Sequence, residues 1–329
     1  MIDNNRPLVT FALLAYDQEI FIREAVEAAL AQDYSPLEII ISDDCSHDKT
    51  FEIICEVTGN YLGPHKILLN RNNSNLGIGS HINKVMKIAL GEFVVVAAGD
   101  DISDSNRVDV ITDAFLNSHE PIYSIWSAAR YIDAAGTLIS RKFPVHNTQV
   151  TDKTLVRNRT TLVGATHAWR RQAFDFFGPL MEGVCFEDNA IAFRSHLLGT
   201  VKYLDRQLVS YRTHDKSLSN FTQMESASIL YAAAAKRCVW MLIAIAQRQR
   251  DMEFALKNLP IFPRNYSFLR RELLKMEVIF KRRLKSYEQF PRLSFSTYVA
   301  AFRDMEIAKV LVRSVFFNKK NDGHFYDVK

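Results

Sequence analysis

Strand-like and helix-like segments alternate from residue 8 to residue 130, and that alternation leaves few folds open. Residues 8–16 form an apolar run. Residues 19–32 carry Ile20, Phe21, Ala25, Ala28 and Ala29 at helical spacing, and 37–42 is short and isoleucine-rich. The two textures continue as helix 49–57, strand 66–70, helix 80–90, strand 92–98, helix 106–116 and strand 122–129. Such a repeat predicts an α/β fold: a mostly parallel, Rossmann-like sheet with helices on both faces. Ligands of these sheets bind in the crevice at the carboxyl ends of the strands.

Four strand ends therefore matter: Ala15-Tyr16-Asp17, Asp43-Asp44, the loop 70–79 containing Asn75-Leu76-Gly77, and Asp100-Asp101. Three of them carry carboxylates. Adjacent carboxylates repel, and a divalent cation carrying a phosphate ester relieves the repulsion. The local alternative is helix capping. Asp43, Asp44 or Ser46 can cap the helix that follows, with Asp44 and Ser46 favoured, and Ser103 or Asp104 can start the next one.

A length of 329 residues with 48% apolar content suits one large domain, or a catalytic domain with a smaller companion. Cys45, Cys55, Cys185 and Cys238 are scattered, with no C-x-x-C pair and no histidine at zinc spacing. That argues against a zinc site or a disulfide framework and favours a reducing, cytoplasmic compartment. The polar amino terminus leads into a strand rather than a signal peptide. The longest candidate for a membrane span, 239–246, falls short of the ~18–20 residues required. Residues 231–329 hold 20 Lys and Arg against 9 Asp and Glu, whereas residues 1–230 hold 21 against 28. An acidic body with a basic tail suggests two tasks.

The sequence carries a strand ending Ala15-Tyr16-Asp17, then Ser42-Asp43-Asp44-Cys45-Ser46-His47-Asp48, then Asn75-Leu76-Gly77, then Gly99-Asp100-Asp101. Glu187-Asp188 and Tyr211-Arg212-Thr213-His214 follow. In this order and spacing the chain resembles the nucleotide-sugar-binding half of family 2 glycosyltransferases, of GT-A fold, over roughly residues 8–220.

The resemblance implies an inverting transferase that moves a sugar from a UDP- or dTDP-sugar to a glycan or lipid-linked hydroxyl, in bacterial surface polysaccharide or glycan synthesis. It implies that Ala15, Tyr16 and Asp17 line the base pocket, together with the Asn75 and Gly77 loop, and that Asp43 hydrogen-bonds the base. Asp100 would lie near the ribose and phosphates, and Asp101 would hold Mn²⁺ or Mg²⁺ with His214 as a second ligand. Asp188 would be the general base, with Glu187 beside it tuning its pKa. Trp169 falls in the segment that approaches sugar and acceptor in the family, where it either stacks on a sugar ring or packs in the core. His167 is a weaker candidate for the pocket. Arg212 or Lys216 is either a phosphate partner or part of a solvated face.

The chain departs from the pattern at Cys45, where many relatives have glycine, at His47, where threonine is frequent, and at Asp17, which replaces a common asparagine. A sugar-nucleotide nucleotidyltransferase is the alternative on a related sheet. Those enzymes usually carry a glycine-rich basic loop after the first strand, and Tyr16-Asp17-Gln18-Glu19 is not one. A non-catalytic, membrane-associated scaffold would lack the carboxylates that are present here.

Residues 131–220 are less regular, with a hairpin expected over 131–141 around Ala135-Gly136. Beyond them helices are expected over 225–249, 268–287 and 295–317, broken at Leu259-Pro260 and Phe262-Pro263. The expected division is a catalytic domain over 1–225 and a basic helical region over 226–329. The run Lys281-Arg282-Arg283-Leu284-Lys285 lies among apolar residues. Such a helix suits an anionic membrane surface, here the inner face of the cell membrane. A solvated appendage or a homo-oligomer interface is the other reading. No nucleic-acid-binding motif accompanies the charge, so a nucleic-acid partner is not expected.

Overall fold

The protein is described by a computed structural model covering residues 6–141, 148, 150–157, 160, 162–214, 227–289 and 304–312. The first half follows the expected alternation: β1 (Val9–Ala15), α1 (Ile22–Leu30), β2 (Leu37–Asp43), α2 (Thr50–Gly59), β3 (Lys66–Arg71), α3 (Ile78–Ile88) and β4 (Phe93–Ala98). Then come β5 (Ile102–Ser103), α4 (Arg107–Leu116), β6 (Ile122–Ile132), α5 (Asp152–Val156), a 3-10 turn (Gly164–Thr166), β7 (His167–Arg170), α6 (Arg171–Phe177), α7 (Glu187–Leu198) and β8 (Thr200–Arg212). Two long helices, α8 (Ala227–Asn258) and α9 (Tyr266–Glu288), complete the named elements. A further short helix covers 305–312.

One eight-stranded sheet runs in the order β3-β2-β1-β4-β7-β6-β8-β5. The pairs β1–β2, β1–β4 and β2–β3 are parallel, as the alternation predicts. β7 then inserts antiparallel between β4 and β6. The sheet is therefore parallel only on one side of β4, and β6 pairs in parallel with β8 beyond the insertion. The expected hairpin is a tight turn: Gly136 has φ +83°, and Ile132 bridges Leu138 in antiparallel fashion.

β1 and β2 are buried along their whole length, which is why they read as continuous apolar runs. The two faces of the parallel half separate by the period of two. Phe11, Leu13, Ile39, Ile41, Phe93 and Val95 pack with α1 and α4 through Ile22, Val26, Ala29, Val108 and Ile111. Ala12, Leu14, Ile40, Val94 and Val96 pack on the other face with Ile82, Val85 and Met86 of α3. Each such aliphatic or aromatic side chain contributes about 1.5–3 kcal/mol by burial. Glycines fit the closest approaches: a Cβ on Gly79 would lie 2.4 Å from the Val184 carbonyl, so α3 can sit tight on the segment before α7.

α8 and α9 share a core with the mixed half of the sheet. Trp126, Phe193 and Leu197 pack with Tyr231, Met241, Ile245, Leu269, Leu273 and Leu311. By length and composition α8 is able to cross a membrane over Ser228–Asn258, which corrects the sequence reading that only 239–246 came close. Its two charges in the apolar part, Lys236 and Arg237, had broken that run. Its inner face is that of a packed helix, however. Arg194 of α7 is fully buried against Asp251 (Nε–Oδ2 2.8 Å, Nη2–Oδ1 3.1 Å), and Gln247 donates to the same carboxylate at 2.8 and 2.9 Å.

Candidate active site

The crevice is built at the carboxyl ends of β1, β2 and β4. Two residues there have left-handed backbone, Asp17 at φ +50° and Cys45 at φ +65°. That conformation favours glycine and, less strongly, asparagine and aspartate, which suits Asp17 but not Cys45. The two loops hold each other. The Asp17 amide donates to Ser46 Oγ (2.9 Å), and the His47 amide donates to Asp17 Oδ1 (2.7 Å). Burial pushes the Asp17 carboxyl up, but the His47 amide and ring outweigh it and hold the group below its ordinary value. Ala15 is buried beneath this rim. Tyr16 is 40% exposed, with its ring edge-on to His47 at 6.0 Å and its hydroxyl in reach of Asn75.

Neither Asp43 nor Asp44 faces the crevice in the expected way. Asp43 is fully buried. Its carboxylate accepts the Ser46 amide (3.0 Å) and the Ser46 hydroxyl, and Arg71 Nε lies 3.5 Å away. Protein donors enclose it, and it supports the rim from below. Asp44 clamps the Asn75 loop, accepting from Asn72 Nδ2 (2.8 Å), the Leu76 amide (3.0 Å) and the Gly77 amide (3.0 Å). Asn75 closes a local turn onto the same Gly77 amide, and Gly77 enters α3 at φ +73°. The capping expectation fails too. Asp43, Asp44 and Ser46 all bind elsewhere, and it is Asp48 that accepts the Thr50 amide at the start of α2.

At the end of β4 the two aspartates exchange their expected parts. Asp101 is 4% exposed, accepts the Arg212 amide (2.8 Å) through Oδ1, and has a buried Oδ2 with no hydrogen-bond donor. Burial and the adjacent Asp100 charge push its carboxyl well up, against the pull of the Arg212 amide and of Arg107. Asp100 is the one that meets His214, with Oδ2 3.0 Å from Nε2, and both side chains are partly accessible. The carboxylate that reaches His214 is therefore that of Asp100, whereas Asp101, expected as the metal ligand, is buried. The reason is geometric: consecutive residues leave a strand end in opposite directions, and Asp101 turns into the protein. Arg212 is likewise corrected. Its buried guanidinium binds the Asp100, Asp133 and Ala134 carbonyls and Glu24 (2.7 Å), so it is a brace rather than a phosphate partner. Lys216 lies outside the described residues.

Among the described residues no three His, Cys, Asp or Glu converge as a complete metal-binding group. The Asp100–His214 pair nevertheless fits a divalent cation whose remaining positions come from phosphate oxygens and water, the usual arrangement for Mg²⁺-like ions at phosphates.

The second corner lies at the amino end of α7. A Cβ on Gly164 would sit 2.9 Å from Glu187 Oε1, so the glycine leaves room for that carboxylate. Burial and the Asp188 charge raise Glu187 to about 8. Burial also raises Asp188, whose Oδ1 accepts the Asn189 amide (2.6 Å) and Nδ2 (3.0 Å). Arg248, buried on α8, opposes that rise by its charge. Arg107 links β4 and β5 to the 3-10 turn that packs on Glu187. Fully buried, it donates to Ser103 Oγ (2.9 Å), the Val96 carbonyl (2.7 Å) and the Ala165 carbonyl (2.8 Å). It was not legible in the sequence, where an arginine at a helix start reads as exposed.

Trp169 is 2% exposed in β7 and packs in the core behind the crevice, which settles the choice in favour of core and corrects its placement near sugar or acceptor. His167 is fully buried, 2.5 Å from Ser124 Oγ, and burial with the Arg107 charge lowers it to about 3.

The family model described as glycosyl transferase family 2 matches residues 10–177, half of the chain. The chain belongs to that family. It is 31% identical over 137 residues to chondroitin synthase of Escherichia coli, covering 42% of this chain and 19% of that protein. It is 36% identical over 94 residues to the E. coli UDP-Glc:alpha-D-GlcNAc-diphosphoundecaprenol beta-1,3-glucosyltransferase WfaP, covering 29% of this chain and 36% of that one. The chain thus spans half or less of the length of the curated relatives it matches. Its fold is similar to that of the mannosyltransferase PcManGT from Pyrobaculum calidifontis in complex with GDP-Man and Mn2+, with TM-score 0.56 and 16% identity over 95% of this chain and 80% of that one. The family member has the GT-A fold.

Proposed function

We propose that this protein transfers a sugar, with inversion, from a nucleoside-diphosphate donor to an acceptor hydroxyl. One observation carries the reading. β4, whose end carries the accessible Asp100–His214 pair, is tied through Arg107 to the 3-10 turn whose Gly164 packs on Glu187 of the Glu187–Asp188 acid pair, where both pKa values are raised. Glycosyl transfer needs both: a place for diphosphate charge and a base for the incoming hydroxyl.

The base of the donor packs against Tyr16, between the Asp17–His47 rim and the Asn75 loop, with UDP or dTDP as the donor type. WfaP is named for a UDP-sugar, whereas PcManGT holds a GDP-sugar, so the ring that fills this slot is the first thing to measure. Asp100 and His214 would hold Mn²⁺ or Mg²⁺, which supplies charge neutralisation for the departing diphosphate. Asp188 accepts the acceptor's proton. The acceptor oxygen then bonds to the anomeric carbon as the bond from that carbon to the diphosphate breaks. Glu187, held protonated below about pH 8, adds no second negative charge beside that base. A lipid-linked acceptor in surface-glycan synthesis fits the name of WfaP, and the enzyme would then work at the inner face of the membrane.

Calorimetric titration tests the donor corner. UDP, dTDP and GDP are each titrated into the protein with and without Mn²⁺. The expected result is a Mn²⁺-dependent gain for UDP or dTDP that falls about tenfold or more in Asp100→Ala and in His214→Ala, the loss of one charged ligand interaction. Asp101→Asn, which keeps the shape of a buried group, should retain the gain. An unchanged Mn²⁺ response in Asp100→Ala removes the pair from the metal site.

A further inference from the structure

We infer that the outward face of α9 is a docking surface for an anionic lipid bilayer. The helix has two unlike sides. Leu269, Leu273, Phe280 and Tyr287 recur at helical spacing and are buried in the core shared with α8. The opposite side presents Arg270, Arg271, Lys275, Lys281, Arg282 and Lys285, all exposed. Between the basic residues lie Leu274, 43% exposed, and Val278, 66% exposed. These two help to line a shallow groove of about 700 Å³ whose walls are residues of α9 alone.

Charge complementarity selects the occupant. α9 holds seven Lys and Arg against three Asp and Glu. Three of the outward cations have acidic neighbours: Lys275 with Glu272, Lys281 with Glu277 and Arg282 with Asp304. Arg270, Arg271 and Lys285 form no ion pair among the described residues. The rest of the tail is itself net basic. Residues 290–303 contain Arg292 and Arg303 and no acid, and 313–329 contain four Lys and Arg against two Asp. A second copy of the same basic face would repel. From Arg270 to Lys285 the stripe runs about 22 Å along the helix axis, with apolar side chains at its centre. That is the pattern of a helix lying in the headgroup layer, cations on the phosphates and apolar groups beneath them. A nucleic acid would match the charge but not the exposed Leu274 and Val278. The physical case does not rest on glycosyl transfer, although a lipid-linked acceptor would give the surface its purpose.

The test is co-sedimentation of the full chain with vesicles of phosphatidylglycerol and phosphatidylcholine, and with phosphatidylcholine alone. Binding is expected only with the anionic lipid, weakening as salt is raised. Each basic residue near such a surface is worth about fivefold in partitioning. The triple variant Arg270→Glu, Arg271→Glu, Lys285→Glu should therefore bind at least about a hundredfold more weakly. Leu274→Asn with Val278→Asn should lower the part that survives high salt by about tenfold. Donor hydrolysis in solution, measured on the same samples, should be unchanged in every variant, which certifies their folding. It also separates the two readings, because a wild type without donor hydrolysis counts against the transferase and not against the lipid surface. Equal binding to neutral vesicles, or undiminished binding by the triple variant, overturns the proposal. So does a wild-type dimer that the triple variant dissociates, or oligonucleotide binding in the absence of vesicle binding.

Discussion

Two groups of carboxylates share one edge of the sheet and are treated in opposite ways. At the end of β2, Asp43 and Asp44 are buried and point at donors of the protein: Ser46 and Arg71, and the Asn72–Gly77 loop. At the start of α7, Glu187 and Asp188 lie side by side, answered by the helix-start amides, Asn189 and the charge of Arg248, and both are still pushed up. The first group fixes the shape of a pocket. The second keeps a proton available for exchange. A row of acids along a crevice is therefore not one site. Hydrogen-bond donors from the fold separate the acids that build the site from those free to react, and at the end of β4 Asp100 reaches His214 while Asp101 keeps one oxygen without a donor.

The sharpest way to break this comparison is Asp188→Asn. Removing the base should lower transfer by roughly 10²–10⁴ while donor affinity is kept. Glu187→Gln should cost far less, because the glutamine resembles the protonated acid. The pH dependence of stability gives an independent reading. Glu187 is raised from an ordinary 4.5 to about 8, so the folded state holds this proton more tightly than the unfolded chain does. Its stabilising contribution is complete below the ordinary value and is lost as pH rises through about 8. Glu187→Gln lacks that loss, so its melting temperature relative to the parent should rise between about pH 5 and pH 9. A gap that stays constant with pH, or near-normal transfer by Asp188→Asn, would remove the contrast between the two corners.

Asp44→Ala tests the other side. Three donors lose a shared acceptor, two of them backbone amides at the entry to α3. The expected cost is about 2–4 kcal/mol in denaturant unfolding, since unsatisfied buried donors are costly. Donor affinity should fall with it, because the released loop carries Asn75. Asp44→Ala with unaltered stability would mean that the clamp is decorative and that the β2 end is open to ligand after all.

The parallel half of the fold was legible because β1, β2 and β4 are buried on both faces and its helices carry one apolar stripe each. β7 was not: its four residues, His167-Ala168-Trp169-Arg170, have no period long enough to show their direction. The order of acidic strand ends pointed to the carboxyl edge of β1, β2 and β4. Which aspartate turns inward is set by partners far away in sequence, Arg212 for Asp101 and Arg71 for Asp43, and no local pattern encodes those. The same holds for Arg107, whose three acceptors lie on β4, on β5 and in the 3-10 turn.

The smallest expected effect separates backbone from side chain within the first group. Cys45 and Asp17 both sit in the left-handed region, at φ +65° and +50°. An L-residue there carries a penalty of about 1–2 kcal/mol, which glycine avoids, while glycine's freer unfolded chain returns about 0.4–1 kcal/mol of it. Cys45→Gly should therefore stabilise by about 0.5–1 kcal/mol in urea, and Cys45→Ala, which keeps the Cβ, should not. Asp17→Gly relaxes the same strain but removes the acceptor of the His47 amide, so it should be destabilising on balance and should loosen the rim beside Tyr16. If Cys45→Gly is no more stable than Cys45→Ala, the loop is unstrained at that position. The departure from glycine there would then have a side-chain cause.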